Sequence, residues 1–140
     1  MFKDKIITRS PEETKKLGEK LAESFSPGEV VALFGPLGSG KTCLTQGICS
    51  GLEVKDFVVS PSFVLINEYE GKFKVYHIDL FRLERLSEII NLGYEEYFFG
   101  EGICIIEWAE KAIKLLPEKR MEIYLKILSE NERKITICKF

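Results

Sequence analysis

The sequence predicts a three-layer α/β fold, in which a mixed and partly antiparallel sheet is flanked by helices. Two continuous apolar runs, Val30–Phe34 and Gly102–Ile106, are typical of parallel strands that are buried on both faces. Turn residues at Glu70-Gly71-Lys72 and at Ser129–Glu132 each separate two strand-like segments, which indicates hairpins and therefore antiparallel pairs. Helical patterns alternate with these strands, as a layered α/β domain requires.

The composition is that of a folded protein, and we predict a single domain over residues 1–140. Hydrophobic residues make up 45% and charged residues 30% of the chain, which argues against disorder. The net charge of -2 gives no overall electrostatic footprint for nucleic acid, although it leaves room for a local basic patch. Lys3, Asp4 and Lys5 interrupt any signal peptide, and no apolar stretch approaches the ~20 residues that span a bilayer, so we expect a cytoplasmic protein.

The four cysteines do not predict a metal site. No two of Cys43, Cys49, Cys104 and Cys138 have C-x-x-C spacing, and only His77 could add an imidazole ligand. We therefore expect small, mostly buried thiols in a reducing compartment.

The N-terminal half is predicted to hold a short strand, a helix, a buried strand and a second helix. The first helix begins at Ser10, which can cap it, with Pro11 at the first helical position and Glu13 completing a capping box. The bounds of the other elements are Ile6–Thr8 for the short strand, Val30–Phe34 for the buried strand and about Lys41–Ile48 for the second helix.

The C-terminal half is predicted to hold two hairpins, another buried strand and two helices. Gly93 is a weak position in the longer helix, because glycine is a poor helix former. The predicted elements are an irregular connection over Phe57–Phe63, strands over Val64–Tyr69 and Phe73–Asp79, a helix over Leu86–Phe99, a strand over Gly102–Glu107, a short helix over Glu110–Leu116, and paired strands over Met121–Leu128 and Lys134–Phe140.

One motif carries a specific chemistry. Residues 35–42 match G-x-x-x-x-G-K-[ST] in full, after an apolar strand and before a helix, which is the context that a P-loop requires. Backbone amides and the helix N-terminus would hold phosphate oxygens, Lys41 would reach the β- and γ-phosphates, and Thr42 would bind Mg²⁺. The motif predicts a P-loop NTPase-like fold that binds ATP or GTP with magnesium. Its predicted nucleotide-binding residues are Gly35, Pro36, Leu37, Gly38, Ser39, Gly40, Lys41 and Thr42.

A nucleotide-bound metal needs an acidic group near the loop, and two residues at strand ends could supply it. Glu107 ends the second buried strand, at the edge where ligands bind in open α/β sheets, and an ordinary surface acid is the alternative. Asp79 could orient an attacking water or lie in the metal's outer shell, or it could instead cap a helix or pair with Arg82. His77 fits a packed, hydrogen-bonded histidine at least as well as an active-site one.

The segment Ser60-Pro61-Ser62-Phe63 lies where many P-loop proteins have a mobile segment that senses the γ-phosphate. The Ser62 hydroxyl could make that contact, and a plain turn is the alternative.

Two missing features narrow the nucleotide and the reaction. No asparagine begins an N-K-x-D motif, so the chain lacks the guanine-reading segment of a GTPase and ATP is favoured. The arginines are scattered, so the arginine-rich lid of a small-molecule kinase is not evident. A P-loop kinase that acts on a small molecule or a protein stays open as an alternative, and so does a nucleotide-gated adaptor without catalysis.

Taken together, the motifs of this chain resemble those of the TsaE family, also called YjeE. The similarity covers nearly the whole chain, and the combination of motifs is far more specific than the P-loop alone. The segments that carry it are Ser10-Pro11-Glu12-Glu13-Thr14, the P-loop of residues 35–42, Ser60-Pro61-Ser62-Phe63, Asn67-Glu68-Tyr69, His77-Ile78-Asp79-Leu80-Phe81-Arg82-Leu83 and Ile106-Glu107-Trp108-Ala109-Glu110.

The resemblance implies ATP hydrolysis in a complex with the proteins TsaB and TsaD, which installs threonylcarbamoyladenosine at position 37 of tRNA. The tRNA would be contacted indirectly, through that complex. By position, the resemblance assigns Thr42 and Glu107 to the metal, Lys41 to the phosphates and Asp79 to hydrolysis, and Ser62 stands where the family usually has threonine. It also suggests an adenine pocket formed by Arg9, Ser10 and Arg133.

Overall fold

The computed structural model of the chain describes residues 2–59 and 65–140. The helices are α1 (Pro11–Ala22), α2 (Lys41–Gly51), α3 (Leu86–Asn91) and α4 (Glu95–Phe98), with a 3₁₀ helix over Ala109–Ala112. The strands are β1 (Phe2–Thr8), β2 (Val30–Phe34), β3 (Ile66–Glu70), β4 (Lys74–Asp79), β5 (Ile103–Glu107), β6 (Met121–Ile127) and β7 (Arg133–Lys139).

The described strands form one seven-stranded sheet in the order β1-β7-β6-β2-β5-β4-β3. Neighbours are parallel from β6 through β2 and β5 to β4, and we call these strands the parallel centre. The pairs β1–β7, β6–β7 and β3–β4 are antiparallel. We call β1, β7 and β6 the antiparallel wing, and β6 therefore belongs to both regions, because it pairs with β7 on one edge and with β2 on the other. The predicted mixed, partly antiparallel sheet is thereby confirmed.

Alternate residues of the same central strands face two different apolar clusters. Val31 and Leu33 of β2 pack with Leu44 and Ile48 of α2 on one side of the sheet. Val30 and Ala32 belong to a second cluster, which includes Ile89 of α3 and Phe98 of α4. Helices on both faces confirm the predicted three-layer α/β fold.

The helices α1 and α2 meet backbone to backbone. A Cβ atom added at Gly47 of α2 would lie 2.1 Å from the carbonyl oxygen of Lys15 in α1. A Cβ added at Gly18 of α1 would lie 2.6 Å from the carbonyl oxygen of Leu44 in α2. Since α2 continues directly from the P-loop, this close contact also fixes the position of the loop relative to α1.

Two predicted helices differ from those observed. The helix expected over Leu86–Phe99 is split into α3 and α4, because Gly93 between them has a φ of +74°, which no α-helix accommodates. The helix expected over Glu110–Leu116 is a 3₁₀ turn that starts one residue earlier and ends at Ala112. It follows Trp108, whose φ of 58° gives the chain a sharp turn after β5.

Other bounds shift by a few residues. Strand β1 begins at Phe2 rather than Ile6, because all seven of its residues pair with β7. The predicted segment from Ser60 to Phe63 and the predicted first residue of the next strand, Val64, lie outside the described residues. Among the helices that the structure describes, none combines the length and the apolar character needed to cross a membrane.

Candidate functional site

The P-loop connects β2 to α2 at the carboxyl edge of the parallel centre, as the motif predicted. Gly38 and Gly40 have φ values of 79° and 100°, a left-handed backbone that glycine adopts without strain. At Gly35 an added Cβ would lie 2.6 Å from the Ser39 hydroxyl oxygen and 2.8 Å from the carbonyl oxygen of Leu125. The loop is therefore pressed against β6 at Gly35, where a side chain would not fit.

A cavity of about 570 Å³ opens above this loop. That volume lies within the range of small-molecule sites. Its lining includes Leu37, Gly38, Ser39, Gly40, Lys41, Thr42, Asp79, Glu107 and Arg133, all of which the sequence nominated. Residues from the P-loop, from the ends of β4 and β5 and from the start of β7 thus meet at one place.

Lys41 is buried, with 5% of the residue's surface exposed. Its amine donates hydrogen bonds to the carbonyl oxygens of Gly35 and of Pro36, the latter at 3.2 Å. The same amine lies 3.7 Å from the ring centre of Trp108, close enough for a cation–π contact. The loop carbonyls and the indole ring therefore keep the positive charge at the floor of the cavity.

Burial and the neighbouring charges have opposite effects on the pKa of Lys41. Burial lowers the pKa of its amine, while the carboxylates of Glu107, Glu110 and Asp79 oppose that shift. An anion such as a nucleotide phosphate would add to the second effect and favour the charged amine.

Thr42 and Glu107 meet at the floor of the cavity. The Thr42 hydroxyl oxygen is 3.2 Å from each carboxylate oxygen of Glu107. Asp79 is the register partner of Glu107 on the neighbouring strand, so the two acids lie side by side at the carboxyl edge. This places three oxygen-bearing side chains from separate parts of the chain within one small region.

These groups fit a magnesium ion that is shared with a nucleotide. Mg²⁺ prefers oxygen ligands and is usually held by one or two protein groups together with phosphates and water. Thr42 and Glu107 supply such oxygens. In the described part of the chain, no cluster of three or more His, Cys, Asp or Glu could hold a metal ion by itself.

His77 is a residue whose role the sequence left undecided. It is completely buried, and its Nε2 atom lies 2.5 Å from Oε2 of Glu107. Because a carboxylate only accepts hydrogen bonds, Nε2 carries the proton, and Nδ1 has no hydrogen-bond partner among the described residues. His77 is thus a packed, hydrogen-bonded histidine that orients Glu107. The sequence pointed to His77 only as the first residue of the family-like segment His77–Leu83, whereas its contact with Glu107 follows from the register of β4 and β5.

Asp79 is mostly buried and accepts a hydrogen bond from the backbone amide of Phe81 at 2.9 Å. The carboxylate therefore braces the turn that follows β4. It does not cap a helix, since α3 begins only at Leu86. Its place beside Glu107 also puts Asp79 in the lining of the cavity.

Arg133 ties the β6–β7 turn to the P-loop. One of its terminal nitrogens, Nη2, donates to the carbonyl oxygen of Gly38 at 3.1 Å. The other, Nη1, donates to three turn carbonyls, those of Ser129, Glu130 and Glu132. The guanidinium thus fixes the loop from the side of the antiparallel wing.

The remaining nominated residues lie apart from the cavity or outside the described chain. The Ser10 hydroxyl accepts a hydrogen bond from the Glu13 amide at 3.1 Å and caps α1. Arg9 is exposed, and neither it nor Ser10 lines the cavity, whereas the next residue, Pro11, does. Ser62 is outside the described residues. The adenine pocket suggested for Arg9, Ser10 and Arg133 stays a prediction.

Comparison with known proteins agrees with the geometry. The family model for TsaE, described as threonylcarbamoyl adenosine biosynthesis protein TsaE, matches residues 8–135. The chain is 43% identical over 130 residues to the tRNA threonylcarbamoyladenosine biosynthesis protein TsaE of Bacillus subtilis, covering 92% of this chain and 81% of that protein. It is 35% identical to the protein of the same name in Treponema pallidum, covering 96% of this chain and 99% of that one.

A solved structure shares the fold. The crystal structure of YdiB from Bacillus subtilis matches with a TM-score of 0.85 and 37% sequence identity, over 99% of this chain and 86% of that one.

Proposed function

The chain belongs to the TsaE family, and from that premise we propose that it is a magnesium-dependent ATPase required for threonylcarbamoyladenosine formation in tRNA. It would hydrolyse ATP to ADP and phosphate in a complex with TsaB and TsaD, and so support their repeated turnover. Residues 1–140 would form a single P-loop ATPase domain.

One observation carries this proposal. The Thr42 hydroxyl lies 3.2 Å from both oxygens of Glu107, directly beside the buried Lys41. A P-loop that only binds phosphate needs no second acid at this point, whereas a P-loop that hydrolyses a nucleotide needs oxygens to hold a metal ion against the phosphates.

Each group of residues in the cavity would have a separate role in ATP hydrolysis. The loop amides and Lys41 would bind the β- and γ-phosphates and meet the charge that develops on the departing phosphate. Thr42 and Glu107 would hold Mg²⁺, which when bound supplies charge neutralisation and orientation of the phosphates. Asp79 would orient the attacking water, because its carboxylate lies next to Glu107 and faces the cavity.

Exposed apolar side chains at the mouth of the cavity fit a protein partner. Leu37 is 77% exposed and Phe81 is 52% exposed, and both line the cavity. Large apolar groups gathered beside a polar site are typical of a surface that another protein covers. We therefore place the contact with the TsaB–TsaD assembly at this mouth.

Reconstitution tests the proposal. TsaB, TsaD, tRNA and a threonylcarbamoyl donor should modify tRNA over many turnovers only when this chain and ATP are present. Lys41→Ala should abolish that turnover, and Asp79→Ala should bind ATP but hydrolyse it poorly. Equal turnover without the chain would reject the proposed role.

Two alternative functions of the site predict different experimental results. A P-loop kinase would give a stable phosphorylated small molecule or protein instead of free phosphate. A nucleotide-gated adaptor would support turnover even when Asp79→Ala blocks hydrolysis.

A further inference from the structure

The face of the antiparallel wing that points away from α1 carries a cluster of lysines. Directly paired residues of neighbouring strands lie on the same face, which sorts this surface into rows. One row holds Lys5, Thr136 and Tyr124, and the next holds Ile7, Lys134 and Lys126. Lys3 lies on the same face, two residues before Lys5. We call Lys3, Lys5, Lys126 and Lys134 the lysine face.

The lysine face is not neutralised within the described chain. None of its four lysines forms an ion pair there, although the chain as a whole has a net charge of -2. Lys126 and Lys134 are direct cross-strand partners, an arrangement of like charges that destabilises a sheet. Lysines on an edge strand can serve to prevent aggregation, but β6 and β7 are interior strands, so that explanation does not cover Lys126 and Lys134.

An aromatic ring lies beside these lysines in a fixed position. One side of the Tyr124 ring stacks on Phe34, with centroids 4.6 Å apart and planes inclined by 11°. Its hydroxyl donates to Glu122 at 2.5 Å, and Glu122 in turn accepts from Arg120 at 2.6 Å. Burial and the bond to Glu122 raise the pKa of Tyr124 to about 12, so the ring stays uncharged. With 41% of its area exposed, the ring is open to stacking from outside.

We propose that the lysine face binds the phosphate backbone of tRNA directly, with an unpaired base stacked on Tyr124. Lysine is depleted in protein–protein interfaces, whereas phosphate contacts depend on lysine and arginine. Single-stranded segments of RNA are bound by aromatic rings next to such positive charge. The choice of tRNA rests on the proposed function, and the site adds a direct contact to the indirect one that the family resemblance implied.

The lysine face is separate from the nucleotide cavity but connected to it. Arg133 and Lys134 are neighbours in β7 and therefore face opposite sides of the sheet. Arg133 holds the P-loop through Gly38, whereas Lys134 lies on the lysine face. Binding of tRNA and of ATP would thus act on the same hairpin from its two sides.

Charge reversal on the two faces of the protein provides the test. The affinity of fluorescently labelled tRNA is measured by anisotropy, over a series of salt concentrations, for the wild type, K126E/K134E and K16E/K20E. Lys16 and Lys20 are exposed on α1, on the other side of the sheet, so this control makes the same change in net charge. Lys126→Glu with Lys134→Glu should weaken binding at least tenfold and reduce the salt slope by about two, while the control should stay within about twofold.

A second variant separates the ring from the charges. Tyr124→Ala should weaken binding several-fold without changing the salt slope, and Tyr124→Phe should bind like the wild type, because it retains the ring. Melting temperatures that stay at or above that of the wild type for K126Q/K134Q would show that the lysines do not serve the fold.

Three results would overturn the inference. The first is that the wild type has no measurable tRNA affinity at low salt. The second is that both charge-reversal variants lose tRNA affinity equally. The third is that K126E/K134E keeps its tRNA affinity but loses binding to TsaB–TsaD, which would assign the face to an acidic protein. ATP binding and tRNA modification are followed on the same preparations. Normal turnover without direct tRNA binding would refute this inference alone, whereas direct binding without any effect on turnover would refute the proposed function alone.

Discussion

Two buried glutamates show how the parallel centre differs from the antiparallel wing. Glu107 on β5 is 3% exposed and Glu122 on β6 is 4% exposed, and both strands belong to the same sheet. Glu122 is paired with the guanidinium of Arg120 and with the Tyr124 hydroxyl. The charge of this carboxylate is therefore met within the protein.

Glu107 has different partners. It contacts the hydroxyl of Thr42 and one ring nitrogen of His77, and no arginine or lysine forms an ion pair with it among the described residues. The Lys41 amine attracts the Glu107 carboxylate without an ion-pair contact, and a buried carboxylate with no cation in contact is costly. Burial alone therefore does not separate the two acids, and the role proposed for Glu107 rests on its position at the P-loop edge and on the lack of a contacting cation in the described part of the chain.

The largest effect is expected for Glu107→Ala. Hydrolysis of ATP should fall about 10²–10³-fold, because a charge-stabilising group of the site is lost. Phosphate release at varied Mg²⁺ measures the rate, and the fluorescence of Trp108, the only tryptophan, reports whether ATP still binds. An unchanged rate would remove Glu107 from the metal site.

His77 should have the next largest effect, and it acts through Glu107. His77→Ala should weaken the apparent Mg²⁺ affinity about 10–100-fold, as loss of a group that orients a metal ligand does. His77→Gln can still donate a hydrogen bond and should recover part of that affinity. If the alanine and glutamine variants lose Mg²⁺ affinity equally while both remain folded, His77 has no orienting role.

Glu122→Ala should change stability and leave catalysis intact. Removing this carboxylate leaves Arg120, which is partly exposed, without its partner and should cost about 1–3 kcal/mol in the free energy of unfolding. Urea denaturation measures the loss, with the rate of ATP hydrolysis as the control. A loss of hydrolysis as large as that of Glu107→Ala would erase the distinction between the two glutamates.

Lys126→Gln should have the smallest effect, and of opposite sign. It removes the like-charge pair with Lys134 and should stabilise the protein by about 0.2–1 kcal/mol. The gain should shrink as salt screens the repulsion. A destabilised variant, measured by urea denaturation at low salt, would show that Lys126 supports the wing rather than straining it.

Local sequence patterns predicted the features that depend on neighbouring residues. The apolar runs located β2 and β5, the P-loop motif fixed its loop and the start of α2, and the placement of Glu107 followed from its position at the end of β5. Gly93 was noted as a weak position, but its left-handed conformation, which ends α3, depends on how the chain packs and not on the pattern alone.

Contacts that depend on the register of neighbouring strands could not be predicted from the sequence. The bond between His77 and Glu107 exists because β4 and β5 are parallel neighbours with Asp79 opposite Glu107. The rows of the lysine face likewise require β1, β7 and β6 to align as they do, although β1 and β6 are more than a hundred residues apart in the chain. Nothing in the local pattern reveals such pairing.

The contact between α1 and α2 limits which sequences can adopt this fold. At Gly18 and Gly47 the two backbones touch, and every other amino acid would add at least one carbon atom where none fits. A substitution at one position cannot be offset by a smaller residue at the other, because both already have no side chain. Random mutagenesis should therefore recover no substitutions at this crossing, even in libraries selected only for folding.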